Sequence, residues 1–410
     1  MGMTENTLAE IRKSIRCAKK SGFYKKHFAD ISPEDIKTEA DFRKLPFTDK
    51  DDLRNAYPLG LAAVPEERIV RVHSSSGTTG TPVIIPYTRK DVLDWAKMFK
   101  RCYEFAGITS KDIIQITPGY GLWTAGIGFQ AGAELLGAMA LPLGPGNTDR
   151  QIKLMIDMGT TVLTATSSYA LLLAEEIERR GIKDRIKLKK GVIGSERWGK
   201  KMRARIAHEL GVELYDIYGL TEIYGPGIGI NCMHDSAMHM WTDYMYCEII
   251  DPGTGRRVKK GERGELVITT LQKEGAPLIR YRTHDLTRAV PGKCECGLDY
   301  PRIGTIIGRS DDMVKVRGAM IYPSRVDELL SGIEGVSSEY QVMIDHLEGK
   351  DILTLFFEST LEEAAFYALE KTVEDQFKMV IGVTPKAKAV KIGDLPRSEK
   401  KTARIFDNRY

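Results

Sequence analysis

The chain has 410 residues, enough for a large core and a smaller second domain. Apolar residues make up 42% and charged residues 28%, an ordinary globular balance, and a net charge of +4 gives no reason to expect a nucleic-acid surface. No apolar run of about eighteen residues occurs and Met1–Lys20 is too charged for a secretory signal, so the expectation is a cytoplasmic protein with no membrane span. Six cysteines in so long a chain do not make a disulfide framework; in a reducing compartment they are thiols or metal ligands.

To about Val70 the sequence is polar and helical in pattern, with a Pro-containing connection around Leu45–Asp49. Arg68–Val72 and Val83–Tyr87 are short apolar runs that predict a strand–loop–strand unit. Between them lies Ser74-Ser75-Ser76-Gly77-Thr78-Thr79-Gly80-Thr81, poor material for a core or a helix. Glycine lets backbone N–H groups approach a phosphate closely and each hydroxyl adds a donor, so the loop suits an oxyanion cradle; a flexible linker is the alternative. It is not a Walker A loop, because no Lys-Ser or Lys-Thr and no helix signal follow the second glycine.

Asp112–Thr117 predicts a strand, and Pro118–Gly146 reads as a Gly-rich segment. Asp149–Met158 reads as a helix, Thr161–Thr166 as a strand, and Tyr169–Arg180 as a helix with Ser167 and Ser168 as capping candidates. Gly191–Gly194 and Glu213–Ile217 read as buried strands flanking the helix Arg197–Leu210. This alternation predicts a mostly parallel sheet covered by helices. From Tyr244 the pattern turns β-rich, through Tyr244–Asp251, Gly264–Thr270 and Leu278–Arg282. A last module begins near Gly308, with a helix through Val326–Leu330, strands at Tyr340–Leu347 and Asp351–Glu358, a long helix Leu361–Met379 and a strand Lys386–Lys391. The expected fold is α/β: a large N-terminal domain (1–309) of mixed sheets with helices and a β-rich subdomain, then a small mobile α+β domain (310–410). Gly308–Asp312 would be the hinge.

Three further constellations carry chemistry. Tyr215-Asp216-Ile217-Tyr218-Gly219-Leu220-Thr221-Glu222 follows a strand, where open α/β sheets place ligand loops. Tyr218 suits stacking on a base, Thr221 a phosphate contact and Glu222 a Mg²⁺ ion; a strand-end turn with a solvated glutamate is the alternative. In Tyr281-Arg282-Thr283-His284-Asp285, Asp285 suits both hydroxyls of a ribose, or a surface ion pair. The tail Leu395–Arg404 reads by default as a solvated basic run. Separately, Cys294-Glu295-Cys296 with Cys232 and either His234 or His239 would make a tetrahedral Cys₃His zinc site; unligated thiols are the alternative.

Taken in this order, the phosphate-loop candidate, the two nucleotide motifs and the tail resemble the adenylate-forming superfamily, and within it the phenylacetate–CoA ligase family. Further agreement comes at Leu45–Lys50, Tyr57–Gly60, Gly119–Leu122, Gly146–Thr148, Ser168–Leu171, Thr269–Leu271 and Gly308–Met313, so the resemblance spans nearly the whole chain. It implies an ATP-dependent, AMP-forming carboxylate–CoA ligase for an aryl or arylalkyl acid such as phenylacetate, working through an acyl-adenylate and releasing pyrophosphate. Ser74–Thr81 would hold the β- and γ-phosphates. Gly194, Ser195, Glu196 and Tyr218 would form the adenine pocket, with Asp216 and Gly219 in the same nucleotide site. Thr221 would lie near the α-phosphate, Glu222 on Mg²⁺, and Asp285 on the ribose with Arg309 assisting.

The family's catalytic lysine matches Lys401, with Lys400 as runner-up because the usual Gly-Lys is Lys400-Lys401 here. Asp311 matches the pivot of a small domain that swings between the two half-reactions, and His284 stands where glycine or arginine is more usual. Tyr120, Trp123 and Gly126 would line the acid pocket; Trp123 replaces a common phenylalanine and Gln130-Ala131-Gly132 the usual His-Tyr-Gly, which would reshape the cavity. His239, rather than His234, falls where zinc-bearing members have histidine, and the zinc would be structural. The family's dimers suggest a homodimer. Two other functions remain: an adenylating enzyme that passes its acyl group to a carrier-protein thiol or an amine, and a non-catalytic nucleotide-binding protein. Intact Glu222, Asp285 and Lys401 argue against the second.

Overall fold

The computed structural model describes residues 3–75, 81–122, 125–196, 198–311, 314–347, 350–397 and 404–409. Helices α1 (Glu5–Ala18), α2 (Gly22–His27), α3 (Glu39–Arg43) and α4 (Lys50–Asn55) open the chain. Leu8, Ile11, Ile15 and Ala18 recur at helical spacing and are buried, so α1 packs one apolar stripe onto the large domain. Side-chain caps start these helices: Thr4 accepts from Thr7 N–H, and Thr38 and Asp49 form reciprocal boxes with Asp41 and Asp52. Strands β1 (Ile69–Ser74) and β2 (Ile84–Thr88) then pair as the expected antiparallel unit around the hydroxyl-rich loop.

The next elements are α5 (Arg89–Phe105), β3 (Ile113–Ile116), α6 (Ala125–Leu136), β4 (Met139–Pro142), α7 (Thr148–Asp157), β5 (Val162–Thr166), α8 (Ser167–Arg179), β6 (Lys190–Gly194), α9 (Lys200–Leu210) and β7 (Glu213–Leu220). Strands β4, β3, β5, β6 and β7 lie side by side in parallel, as the βα rhythm predicts. One segment gains definition here and one expectation needs correction. The Gly-rich segment Pro118–Gly146 holds a helix and a strand, because Gly128 and Gly132 let α6 close onto α5: a Cβ there would sit 2.3 Å from Trp95 and Phe99 respectively. The cap of α8 is Thr166, whose hydroxyl accepts from Tyr169 N–H, while Ser167 and Ser168 already belong to the helix.

The chain continues through β8 (Gly225–Cys232), β9 (Asp235–Met240), β10 (Met245–Ile250), β11 (Arg263–Thr270), β12 (Tyr281–Val290), β13 (Arg302–Ile303) and β14 (Gly308–Arg309). These join antiparallel, so the parallel strands and the β-rich region form one mixed sheet, of 12 strands among the described residues. Glycine hides β8 from a sequence reading. Every residue of that strand is buried, and a Cβ on its neighbour Gly219 would meet the Gly225 carbonyl at 2.0 Å.

The small domain has its own core, with Val326, Val342, Leu355, Phe357, Val373 and Phe377 at its centre. It comprises the hairpin β15 (Val314–Val316) and β16 (Ala319–Ile321), α10 (Pro323–Ser331), β17 (Val336–Leu347), β18 (Lys350–Ser359), α11 (Phe366–Ile381), β19 (Lys386–Lys391) and β20 (Ile405–Asp407), the sheet order being β19-β18-β17-β20. The tail is therefore not a solvated basic run throughout. β20 pairs in parallel with β17, and Arg404 forms two 2.9 Å bonds to the buried Glu339 carboxylate. Among the described residues no helix is long and apolar enough to cross a membrane.

Candidate nucleotide and acid site

The carboxyl ends of β6 and β7 are where a doubly wound sheet exposes a crevice. Tyr218, near the end of β7, is buried and donates its hydroxyl to Asp285 Oδ2 at 2.6 Å. Asp285 sits in β12 directly opposite Arg309 of β14, whose Nη1 donates to Asp285 Oδ1 at 3.3 Å. The same guanidinium holds Asp311 through Nε at 2.8 Å and Nη2 at 2.7 Å. Four residues singled out separately in the sequence thus form one chain of contacts, from the strand end to the expected pivot. Burial pushes the Asp285 carboxyl above its usual range, with Arg309 opposing that shift.

Glu222 lies just beyond β7, only 6% exposed, with Lys50 Nζ 3.8 Å from its carboxylate. Lys50 belongs to the motif around α4, which His284 secures: its Nε2 lies 3.0 Å from Asp49 Oδ1 and its Nδ1 3.0 Å from Ser310 Oγ. Lys273 went unnoticed in the sequence. Its buried ammonium donates to the Ile223 carbonyl and stands over the rings of Tyr87 and Tyr224 at 4.4 and 4.7 Å, and burial lowers its pKa to about 7. A single lysine in an otherwise unremarkable run gives no signal that it will be enclosed.

Other predicted residues have structural duties that qualify their assignments. Gly194 closes β6 so tightly on β7 that a Cβ would lie 2.3 Å from the Ile217 carbonyl, and Ser195 follows at a left-handed φ of 70°. Glu196 turns its carboxylate onto the start of α8, accepting from Ser168 N–H at 2.9 Å and Ser167 Oγ at 3.0 Å, so that side chain caps a helix. Asp216 is enclosed beside Trp198 and Arg203, and burial raises its pKa to about 6. Its backbone N–H donates to Asn231 Oδ1 at 2.6 Å. Gly219 provides the close β7–β8 approach described above. Thr221 is half-buried between Tyr218 and Glu222 in sequence.

At the hydroxyl-rich loop, Ser74 N–H donates to the Leu122 carbonyl at 2.9 Å, and Val83 N–H donates to Ser75 Oγ at 3.2 Å. Residues 76–80, covering the assignments to Ser76, Gly77, Thr78, Thr79 and Gly80, lie outside the described residues, while Thr81 is exposed at the loop's far end. His73 Nδ1 also meets the Leu122 carbonyl, at 3.2 Å, so the predicted acid-pocket loop is fastened to the predicted phosphate hairpin. Tyr120 and Gly126 come together there: Gly126 N–H donates to the Gly119 carbonyl at 2.8 Å, and a Cβ would strike Tyr120 at 2.7 Å. Trp123, Lys400 and Lys401 also lie outside the described residues.

The second cluster is sulfur-rich. One ligand atom each from Cys232, His239, Cys294 and Cys296 lies within 4.8 Å of the others. Cys232 Sγ is 3.5 Å from Cys294 Sγ, and Cys296 Sγ is 3.6 Å from His239 Nε2. Tetrahedral zinc with ~2.3 Å bonds to sulfur needs ligand separations of about 3.8 Å, so this donor set fits. His234 is not in that set; its Nδ1 lies 3.7 Å from Glu295 Oε2.

The model for AMP-binding enzymes matches residues 17–272, and that for the AMP-binding enzyme C-terminal domain matches residues 318–409. Both matches are to adenylate-forming enzymes, and the fold, a large N-terminal domain followed by a separate C-terminal one, is theirs. The phenylacetate–coenzyme A ligase of Pseudomonas putida is 38% identical over 99% of this chain and 94% of its own length, and that of Escherichia coli K12 is 39% identical over 94% and 90%. The chain belongs to the phenylacetate–CoA ligase family and is an AMP-forming acid–thiol ligase. Among solved structures, 2-hydroxyisobutyryl-CoA ligase in its postadenylation state superposes with a TM-score of 0.88 at 29% identity, covering 98% of this chain and 89% of that one. The same ligase in its thioesterification state gives 0.71 over the same coverage.

Proposed function

We propose that this chain activates an aryl or arylalkyl carboxylic acid with ATP and transfers the acyl group to CoA. The substrate carboxylate attacks the α-phosphorus of ATP; the acyl–O–P bond forms, the bridge to the β-phosphate breaks, and pyrophosphate leaves. The CoA thiolate then attacks the acyl carbon, a C–S bond forms, and AMP departs. Neither step needs a covalent enzyme intermediate, so the protein contributes alignment and charge neutralisation.

Asp285 accepts the ribose hydroxyls, its carboxylate aimed by Tyr218 and Arg309. The backbone of Gly194–Glu196, next to Tyr218, borders the adenine. The loop 74–81 and Thr221 face the phosphates, and Tyr120, Trp123 and Gly126 the acid. Glu222 is the carboxylate suited to Mg²⁺, which would neutralise phosphate charge when bound. Lys401 supplies the cation between carboxylate and α-phosphate, and Asp311 is the pivot. Cys232, His239, Cys294 and Cys296 hold a structural zinc. We place the boundary between domains at 309/310 and the protein, as a homodimer, in the cytoplasm.

The observation that carries this reading is the Tyr218–Asp285–Arg309–Asp311 chain of contacts beside the buried Glu222. Pyrophosphate release across a panel of aryl and aliphatic acids, with and without CoA, tests it. Release with aryl acids and thioester formation only with CoA are expected. Release that yields no thioester even with CoA present favours a carrier-protein thiol or an amine as acceptor. Lys401→Ala should lose ATP–pyrophosphate exchange by at least about a hundredfold while keeping thioester formation from supplied acyl-adenylate. Unchanged exchange would remove Lys401 from its role.

A further inference from the structure

We infer that Glu175, on α8 of the large domain, is a positioning residue that latches the small domain in its adenylate-forming orientation by gripping Arg397. Arg397 lies in the tail motif just ahead of Lys401. Within the small domain it is fixed by the fully buried Glu358 of β18, through Nη1 at 2.7 Å and Nη2 at 2.9 Å. Glu358 also accepts the N–H groups of Gly393 and Leu395 at 2.9 and 3.3 Å, so the small domain itself sets where the guanidinium points. It points across the interface, donating to both oxygens of Glu175 through Nε at 3.0 Å and Nη2 at 2.7 Å. Arg205 of α9 holds Glu175 from behind at 2.8 Å. Only 9% of the Arg397 side chain is exposed, so this is a desolvated bidentate bridge rather than a surface pair.

A second contact acts in the same direction. Lys201, at the start of α9, donates its Nζ to the carbonyls of Leu330, Ile333 and Val336 at 3.2, 2.8 and 2.6 Å. Those carbonyls lie at the open C-terminal end of α10 and just beyond it, where a cation is favoured. Both contacts are made in an arrangement that superposes on the postadenylation form of 2-hydroxyisobutyryl-CoA ligase better than on its thioesterification form. Any large rotation of the small domain breaks both, since each joins side chains on opposite sides of the interface. Neither Glu175 nor Lys201 belongs to the nucleotide or acid site. Their effect on the reaction is therefore on the population of one orientation.

This latch rests on the two-step chemistry proposed above, and the two fail separately: absent exchange in the unmodified enzyme sinks the chemistry, whereas the latch is read from the ratio of the half-reactions. In Glu175→Ala, ATP–pyrophosphate exchange should fall about tenfold while thioester formation from supplied acyl-adenylate and CoA holds or rises. Glu175→Asp should restore part of the exchange. Lys201→Met should shift the ratio the same way and carries the test if Glu175→Ala fails to fold. Equal loss of both half-reactions in folded variants, or loss of neither, overturns the latch.

Discussion

At the scale of single residues, His284 shows how a substitution against the family pattern finds partners. Its backbone takes a left-handed φ of 63°, and its ring joins Asp49, the cap of α4, to Ser310 beside Asp311. The hydrogen bond to Asp49 raises its pKa, burial opposing, with Glu265 and Asp311 adding attraction. A base held above its unfolded pKa adds stability that is complete below about pH 6.5 and is lost as pH climbs through the raised value. His284→Asn keeps a residue that tolerates this φ and removes the charge. Thermal melts from pH 5.5 to 8.5 should show the parent losing on the order of 1 °C more than the variant over that interval; parallel curves would remove the His284 contribution. Tyr218, Asp285 and Glu222 stood out in the sequence because chemistry-bearing residues lay in short motifs at strand ends, and the structure brings Tyr218 and Asp285 into contact. Lys273 was not, since enclosure by Tyr87 and Tyr224 depends on residues far away in the chain.

At the scale of elements, the sequence displays whatever has a period. The helices α7, α8 and α9 and the strands β3, β5, β6 and β7 follow apolar spacing and emerge within a few residues of their bounds. Elements built on glycine do not: α6 and β8 trade side chains for close backbone approach, so their composition resembles a loop. The sulfur cluster joins such elements, since Cys232 ends β8, His239 lies in β9, and Cys294 and Cys296 precede β13. Held by one ion, these segments would act as a single crosslinked patch. Elemental analysis should give one zinc per chain, and prolonged chelation should lower the melting temperature by several degrees while Cys296→Ser abolishes stoichiometric metal. Full melting stability in metal-free protein would dispose of a structural ion.

At the scale of the molecule, the existence of a large and a small domain was readable from the change of pattern along the chain. The contacts that hold the two in register were not. Arg397 and Glu175 are 222 residues apart, and in sequence each is an ordinary charged residue on a polar face. A basic tail also conceals that β20 completes the small sheet. Lys401 falls in residues 398–403, between Arg397 on Glu358 and Arg404 on Glu339, with β20 immediately after. Arg397 and Arg404, the described residues on either side of that range, are both tied to the small domain, so the cost of bringing those two points together is met when the domain folds. Removing Ile405–Arg409, none of which is assigned a ligand contact, would take away the pairing of β20 with β17 and weaken the tie on that side. Such a trimmed enzyme should bind ATP normally by calorimetry yet exchange pyrophosphate about tenfold more slowly, the signature of disorder taxing a reactive group from behind.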